Sequence, residues 1–170
     1  MTDPFGDASP EFRRVLEEND RYVEVFDRSK LTAAPLSGLA VVACMDARID
    51  VEDALGLRVG DAHIIRNAGG LATEDVVRSL VVSQQLLGTS EIVLIGHTGC
   101  GLHAATEDDL RARVLASTGT DTELVFGAFS DLEATMREQA EVLRTHPSLR
   151  RVPVHPFVYE VETGRLRPVS

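Results

Sequence analysis

Cys44, Asp46 and Arg48 place a thiol, a carboxylate and a guanidinium close together, directly after the apolar run 39–43. A run of small and β-branched residues is typical of a buried parallel strand. Side chains alternate along an extended chain, so these three groups can share one face. Open α/β sheets bind ligands at the carboxyl ends of their strands, which is where these residues would lie. The alternative is a buried structural cysteine beside a surface Asp–Arg pair.

A second apolar run, residues 90–96, is followed directly by His97 and, three positions later, by Cys100. A strand-to-helix turn with this spacing can present both side chains to one ion, and Cys44 would complete a Cys₂His set. Three protein ligands leave the fourth corner of a zinc tetrahedron open, which is typical of catalytic rather than structural zinc sites. The sequence therefore predicts one Zn²⁺ per chain. The alternative is a Cys44–Cys100 disulfide, which a reducing compartment disfavours.

Asp46 and Arg48 are candidates to bind and orient a water molecule on such a metal. Asp46 is the candidate acceptor for the hydrogen bond of a metal-bound water. Arg48 would pair with Asp46, keep it ionised and fix which carboxylate oxygen faces the metal. The expected reactive species is a zinc-bound hydroxide that attacks a small electrophilic carbon. Asp46 could instead occupy the fourth corner and close the site, and the sequence leaves both states open.

Apolar runs and helical stripes alternate through the middle of the chain. The predicted strands cover residues 39–43, 61–66, 90–96, 154–161 and 166–169. The predicted helices cover residues 11–30, 50–57, 73–87, 106–116 and 130–145, the last opened by a capping box from Ser130 to Glu133. This order predicts an α/β fold with a central mostly parallel sheet, helices on both faces, an extra C-terminal edge strand and an N-terminal helical arm.

The N-terminal helix carries one apolar stripe, with a break expected near Asn19 and Asp20 and loose order expected over residues 1–10. This stripe would cover either its own sheet or a partner subunit. The 170 residues fit a single domain spanning 1–170.

Charge and hydropathy exclude several classes of partner. The net charge of −10 disfavours nucleic acid and anionic membrane surfaces. No apolar run reaches the roughly 18 residues that span a bilayer. The first residues lack the basic and apolar regions of a signal peptide, so the sequence predicts a cytoplasmic location.

Three motifs, in this order, resemble those of the β-class carbonic anhydrases. They are Cys-x-Asp-x-Arg at 44–48, Arg-Asn-Ala-Gly at 66–69 and His-x-x-Cys-Gly at 97–101. The interval between the first cysteine and the histidine also looks like that of the family. The resemblance runs from about residue 38 to 105, extends weakly to the end of the chain, and is greatest to the short bacterial, mycobacterial-type members.

The resemblance implies reversible hydration of CO₂ to bicarbonate and a proton. It implies zinc bound by Cys44, His97 and Cys100, with Asp46 and Arg48 as the functional pair. These are the same residues that the donor chemistry singles out.

The resemblance also implies that Gly101 offers its backbone N–H to the substrate. It implies a homodimer, or a homotetramer built from dimers, in which the arm formed by residues 1–35 packs on a partner subunit. His103 is either a proton relay or a surface histidine.

Two other functions use the same site. Related enzymes hydrolyse carbonyl sulfide or carbon disulfide with the same ligands, and pocket shape would make the difference. A non-catalytic zinc-binding regulatory module is the second alternative, which the presence of both Asp46 and Arg48 disfavours. A nucleotide-binding domain is disfavoured because no glycine-rich phosphate loop follows a strand.

Overall fold

The structure, a computed structural model, describes residues 9–27 and 31–170. The described residues form two compact units, one within residues 1–31 and the other over residues 32–170. Among the residues that the structure describes, no helix has both the length and the apolar character needed to cross a membrane.

The first unit contains helix α1 (Pro10–Glu24). The side chain of Ser9 accepts a hydrogen bond from the backbone N–H of Phe12 and caps the helix N-terminus. None of the α1 residues is buried. The helix continues through Asn19 without the predicted break. The predictions for residues 1–8 and 28–30 lie outside the described residues.

The second unit is built on one sheet. Its strands, within the described residues, are β1 (Leu39–Cys44), β2 (Ala62–Asn67), β3 (Glu91–His97), β4 (Val154–Glu160) and β5 (Arg165–Pro168). Their order is β2-β1-β3-β4-β5, with the first four parallel and β5 antiparallel to β4. The predicted α/β fold with an added C-terminal edge strand is thereby confirmed.

Side chains alternate between the two faces of the sheet, and each face packs in an apolar layer. The helices of this unit are α2 (Val51–Leu55), α3 (Glu74–Leu87), α4 (Glu107–Thr118) and α5 (Leu132–Thr145). On one face Val42 and Leu94 pack with buried residues of α3 and α5. On the other face Val41 and Ile95 pack with Val51 of α2. Because β1 is central and buried on both faces, its sequence is a continuous apolar run rather than an alternating one.

The start of α5 differs from the prediction by one residue. The N-cap is Asp131, whose side chain accepts a hydrogen bond of 2.9 Å from the N–H of Ala134, so the predicted capping box at Ser130 is wrong. The shift leaves Glu133 one position too early to bond the N-cap amide. Its carboxylate instead pairs with Arg167 of β5 at 2.7 Å. The structure places a capping box at Thr106, at the start of α4.

Gly70 allows the loop after β2 to lie against the ends of β1 and β3. Its φ is +66°, in the left-handed region, and a Cβ at this position would lie 2.6 Å from the carbonyl oxygen of Ile95 and 3.0 Å from the backbone nitrogen of Cys44. Backbone atoms cannot move aside as a flexible side chain can. The loop therefore packs on the strand ends because residue 70 has no side chain.

We expect Gly70→Ala to lower the free energy of unfolding by about 2–4 kcal/mol, because it adds backbone overlap to the strain of a positive φ. Gly88→Ala is the matched control, since Gly88 has a φ of +79° but open space around its Cβ position. That control should cost about 1–2 kcal/mol. Urea unfolding measures both, and equal losses would contradict the close approach at Gly70.

Candidate metal centre

Three buried donor side chains meet at one edge of the sheet. Cys44 is the last residue of β1, His97 is the last residue of β3, and Cys100 lies in the turn that follows. Because β1 and β3 are neighbouring parallel strands, their carboxyl ends lie side by side. The donor atoms of the three side chains lie within 4.8 Å of one another, and the three residues are 4%, 1% and 3% exposed. Both cysteines are free, so the alternative of a Cys44–Cys100 disulfide is excluded.

The ring of His97 is oriented for a metal. Its Nδ1 lies 2.9 Å from the carbonyl oxygen of Thr98, and since a carbonyl only accepts, Nδ1 carries the hydrogen. The lone pair is then on Nε2, which is buried and has no hydrogen-bond partner in the described part of the chain. The nearest carboxylate oxygen, Oδ2 of Asp46, is 3.8 Å away, too far for a hydrogen bond. A buried acceptor without a donor is costly, and a metal ion would satisfy it.

The two thiols differ in acidity. Burial raises the pKa of Cys44, but His97 and the backbone N–H groups of Asp46 and Gly69 outweigh burial and lower it to about 7. Burial and the neighbouring Cys44 raise the pKa of Cys100. The backbone N–H groups of Asp46 and Gly69 thus favour a thiolate at Cys44, whereas a thiolate at Cys100 beside it is disfavoured without a cation.

The donor set fits zinc. Thiolate and imidazole are common zinc ligands, and tetrahedral bonds of about 2.3 Å hold two sulfurs about 3.8 Å apart. That separation is compatible with the donor atoms of this cluster, which all lie within 4.8 Å of one another. Three protein donors leave one position for water or substrate. The cluster is therefore a site for a metal with an open fourth position.

Asp46 and Arg48 form a two-point ion pair beside the cluster. The Arg48 side chain donates from Nε to Oδ1 at 2.9 Å and from a terminal nitrogen to Oδ2 at 2.7 Å. The same terminal nitrogen donates to the carbonyl oxygen of Gly99 at 3.0 Å. Arg48 holds the pKa of Asp46 well below its usual range, so the carboxyl is ionised and acts only as an acceptor. Arg48 thereby joins the segment after β1 to the turn that carries Cys100.

Arg66 is the structural residue that sequence reasoning missed. Its Nε and one terminal nitrogen donate to the carbonyl oxygen of Cys44 at 2.9 and 2.7 Å, and that terminal nitrogen also donates to the carbonyl oxygen of Asp46 at 2.7 Å. Arg66 lies opposite Ala43 in the pairing of β1 with β2. Its presence in the Arg-Asn-Ala-Gly motif was the available signal, but the motif does not reveal which backbone atoms the guanidinium contacts.

Gly101 and His103 lie in the turn after the donor cluster. Gly101 is exposed and follows Cys100 directly, with open space where a Cβ would project. The backbone N–H of His103 donates to the carbonyl oxygen of Cys100 at 3.1 Å. The ring of His103 stacks on Phe129 with centroids 5.6 Å apart, and its Nε2 donates to the carbonyl oxygen of Ser130 at 3.0 Å.

An α/β sheet with buried thiol and imidazole donors at its carboxyl edge defines a candidate metalloprotein. Residues 39–166 match the family described as "Carbonic anhydrase". The chain belongs to the carbonic anhydrase family. The resemblance to its β class is confirmed, since the chain is 38% identical to beta-carbonic anhydrase 1 of Mycobacterium tuberculosis over 91% of this chain and 95% of that protein.

Two further relatives bear on function. The crystal structure of carbonic anhydrase from Streptococcus mutans is 39% identical, superimposes with a TM-score of 0.91 and covers 96% of this chain and 99% of that one. A carbon disulfide hydrolase of Acidithiobacillus thiooxidans is 40% identical, with 76% of each chain covered.

We expect Arg66→Lys to lower the free energy of unfolding by about 1–2 kcal/mol, because an ammonium cannot reproduce the planar fork that bridges two carbonyls. Arg78→Lys is the control, since Arg78 makes only an exposed ion pair with Asp75 among the contacts described. That change should stay within about 0.5 kcal/mol. Urea unfolding of both variants is the measurement, and a loss no larger at position 66 than at 78 would refute the bracing role.

Proposed function

We propose that this protein catalyses the zinc-dependent reversible hydration of carbon dioxide to bicarbonate and a proton. The observation that carries the proposal is the buried Nε2 of His97, which has no hydrogen-bond partner within residues 9–27 and 31–170, beside two free thiols and an ionised Asp46. Membership of the carbonic anhydrase family supports the same reaction. So does the similarity over nearly the whole length of the mycobacterial β-class enzyme.

In this proposal Cys44, His97 and Cys100 bind one Zn²⁺ per chain. Bound there, zinc would supply a Lewis acid that makes a water molecule acidic enough to act as a nucleophile near neutral pH. Thr98 keeps the hydrogen of His97 on Nδ1, so Nε2 stays available as a ligand. The burial of the three donors excludes bulk water from all but the open side of the site.

Asp46 is the catalytic residue in the proposal, and Arg48 orients it. The ionised carboxylate accepts a hydrogen bond from the attacking water and holds its lone pair toward the substrate carbon. Arg48 binds both carboxylate oxygens, so Asp46 keeps one orientation. Gly101, next to Cys100, offers its backbone N–H to an oxygen of carbon dioxide or bicarbonate.

Hydrolysis of carbon disulfide is the second candidate, favoured by the 40% identity to a hydrolase with that substrate. That similarity covers 76% of each chain, whereas the similarity to the mycobacterial carbonic anhydrase covers 91% and 95%. The difference favours carbon dioxide. Both substrates are linear molecules with an electrophilic carbon, so the donor cluster itself does not discriminate between them.

The zinc content and the CO₂ hydration rate of the Asp46→Asn variant test the proposal. The amide keeps the shape of the side chain but removes its charge, so we expect zinc near one per chain and CO₂ hydration reduced about 10²-fold or more. Glu52→Gln, an exposed acid on α2, is the control and should keep full activity. An Asp46→Asn variant as active as the wild type would exclude the assigned role of Asp46.

Wild-type protein assayed with carbon dioxide, carbonyl sulfide and carbon disulfide decides the substrate. We expect CO₂ hydration to be faster than sulfide release from either sulfur compound. Faster sulfide release would support the hydrolase alternative. Stoichiometric zinc with none of these activities would support the non-catalytic regulatory module.

We also propose that the chain forms a homodimer, or a homotetramer built from dimers, through α1. In this helix Val15 and Val23 are 53% and 62% exposed, and Phe26 just beyond it is 55% exposed, all on one stripe. A contiguous exposed apolar stripe is typical of a surface that another protein covers. Residues 1–35 would then be the arm of a single domain 1–170, and the boundary between the two compact units at residue 31 lies close to its end.

Two lysines on the apolar stripe should dissociate the oligomer. We expect Val15→Lys with Val23→Lys to give a monomeric mass by light scattering, because charges would be buried without partners. Glu17→Lys with Glu24→Lys adds two lysines to the opposite face and should leave the mass unchanged. A wild-type protein that is already monomeric would contradict the proposed role of the arm.

A further inference from the structure

Glu107, the first residue of α4, pairs with Arg111 of its own helix at 3.9 Å and also binds a segment further along the chain. Its carboxylate accepts hydrogen bonds from the backbone N–H groups of Phe126 at 3.0 Å, Gly127 at 2.7 Å and Ala128 at 2.9 Å. These amides lower the pKa of Glu107, Ala128 contributing most, so the contacts are made by a carboxylate. Residues 126–130, called the strap below, are thus fixed to the start of α4.

The other side of the strap contacts the turn that carries Cys100. The N–H of Phe129 donates to the carbonyl oxygen of Leu102 at 3.1 Å. The Phe129 ring packs against the apolar cluster that contains Cys44 and Cys100, and it stacks on His103. The strap therefore lies between Glu107 on one side and the donor turn on the other.

Gly127 and Phe129 of the strap lie against the apolar side chains of Leu71 and the donor cluster, whereas hydrogen bonds dominate on the α4 side. Helix α4 has no buried residue. An open surface pocket of about 420 Å³ lies between the strap and the segment 103–107 that leads into α4, lined by His103, Glu107 and Ser130 among others. On this loosely packed side, three charge-assisted hydrogen bonds are the main constraint that holds the strap to the start of α4.

We propose that Glu107 is a positioning residue for Cys100: by binding three strap amides, it holds the strap on the donor turn and slows loss of the metal. The inference rests on the metal site of the proposed function, though not on its substrate. Without Glu107 the strap would open locally, the turn after His97 would lose one wall, and Cys100 would move away from the ion more often.

Glu107→Ala, with zinc loaded, tests the inference. We expect zinc transfer to an excess of chelator to be at least about tenfold faster than in the wild type, since the charged acceptor of all three amides is lost. Hydrogen exchange should accelerate at residues 126–128. Asp108→Asn is the matched control, because it neutralises an exposed acid in the same first turn of α4 and should leave zinc release and exchange unchanged.

Glu107→Gln is a milder variant that should give an intermediate rate of zinc release. It also replaces Glu107→Ala as the test if the alanine variant folds poorly. One amide oxygen can still accept from Gly127 and Ala128, while the contact to Phe126 is lost. We expect intermediate zinc release, with the faster hydrogen exchange centred on Phe126. If Glu107→Ala and Glu107→Gln both release zinc as slowly as Asp108→Asn, the inference is overturned.

A second control separates the local role from general destabilisation. Val154→Ala removes buried volume at the start of β4, at the end of the sheet opposite the donor cluster. It should lower the melting temperature yet release zinc as slowly as the wild type. If Val154→Ala releases zinc as fast as Glu107→Ala, the positioning role is wrong. Slow zinc release by a wild type that does not hydrate CO₂ refutes the proposed substrate and leaves this inference intact.

Discussion

The structure depends on burying three donor groups together at one edge of the sheet, and one of them, Nε2 of His97, has no hydrogen-bond partner among the described residues. The fold places the carboxyl ends of β1 and β3 side by side, so Cys44, His97 and Cys100 share a space from which water is largely excluded. Burial of an unpaired acceptor such as Nε2 of His97 costs free energy, as does a second thiolate beside the first. A divalent cation removes both costs at once. By this argument a bound metal would stabilise the folded chain.

Two guanidinium groups fix the geometry around this cluster. Arg66 binds the backbone carbonyls on either side of Met45, and Arg48 binds the Asp46 carboxylate and the carbonyl of Gly99. Each arginine joins segments that are far apart in sequence. A planar guanidinium suits this role because its donors have a fixed mutual orientation, which a lysine lacks. The Asp46 carboxylate is thus held in place by the guanidinium of Arg48.

The outer part of the site is fixed in a different way. Near the strands, apolar packing on both faces of β1 positions the donors. Beyond Cys100 the chain is irregular, and the carboxylate of Glu107 organises it through backbone amides. Irregular segments have no ladder of their own to satisfy backbone donors, so a buried or half-buried carboxylate can replace one. The inner ligands are thus enclosed by apolar packing, whereas the segment beyond them is tied to α4 by polar contacts.

The sequence alone determined the mostly parallel sheet, the succession of strands and helices along the chain and the donor set, because these depend on local signals. A continuous apolar run predicts β1, and Cys44, His97 and Cys100 each follow a predicted strand end. Only the tertiary structure decided that Asp131 rather than Ser130 caps α5, that Arg66 braces β1, and that Glu107 binds the strap. These contacts join residues distant in sequence or depend on a shift of one position. A periodic pattern fixes which face a residue occupies, but the packing of whole elements fixes which atoms a long polar side chain reaches.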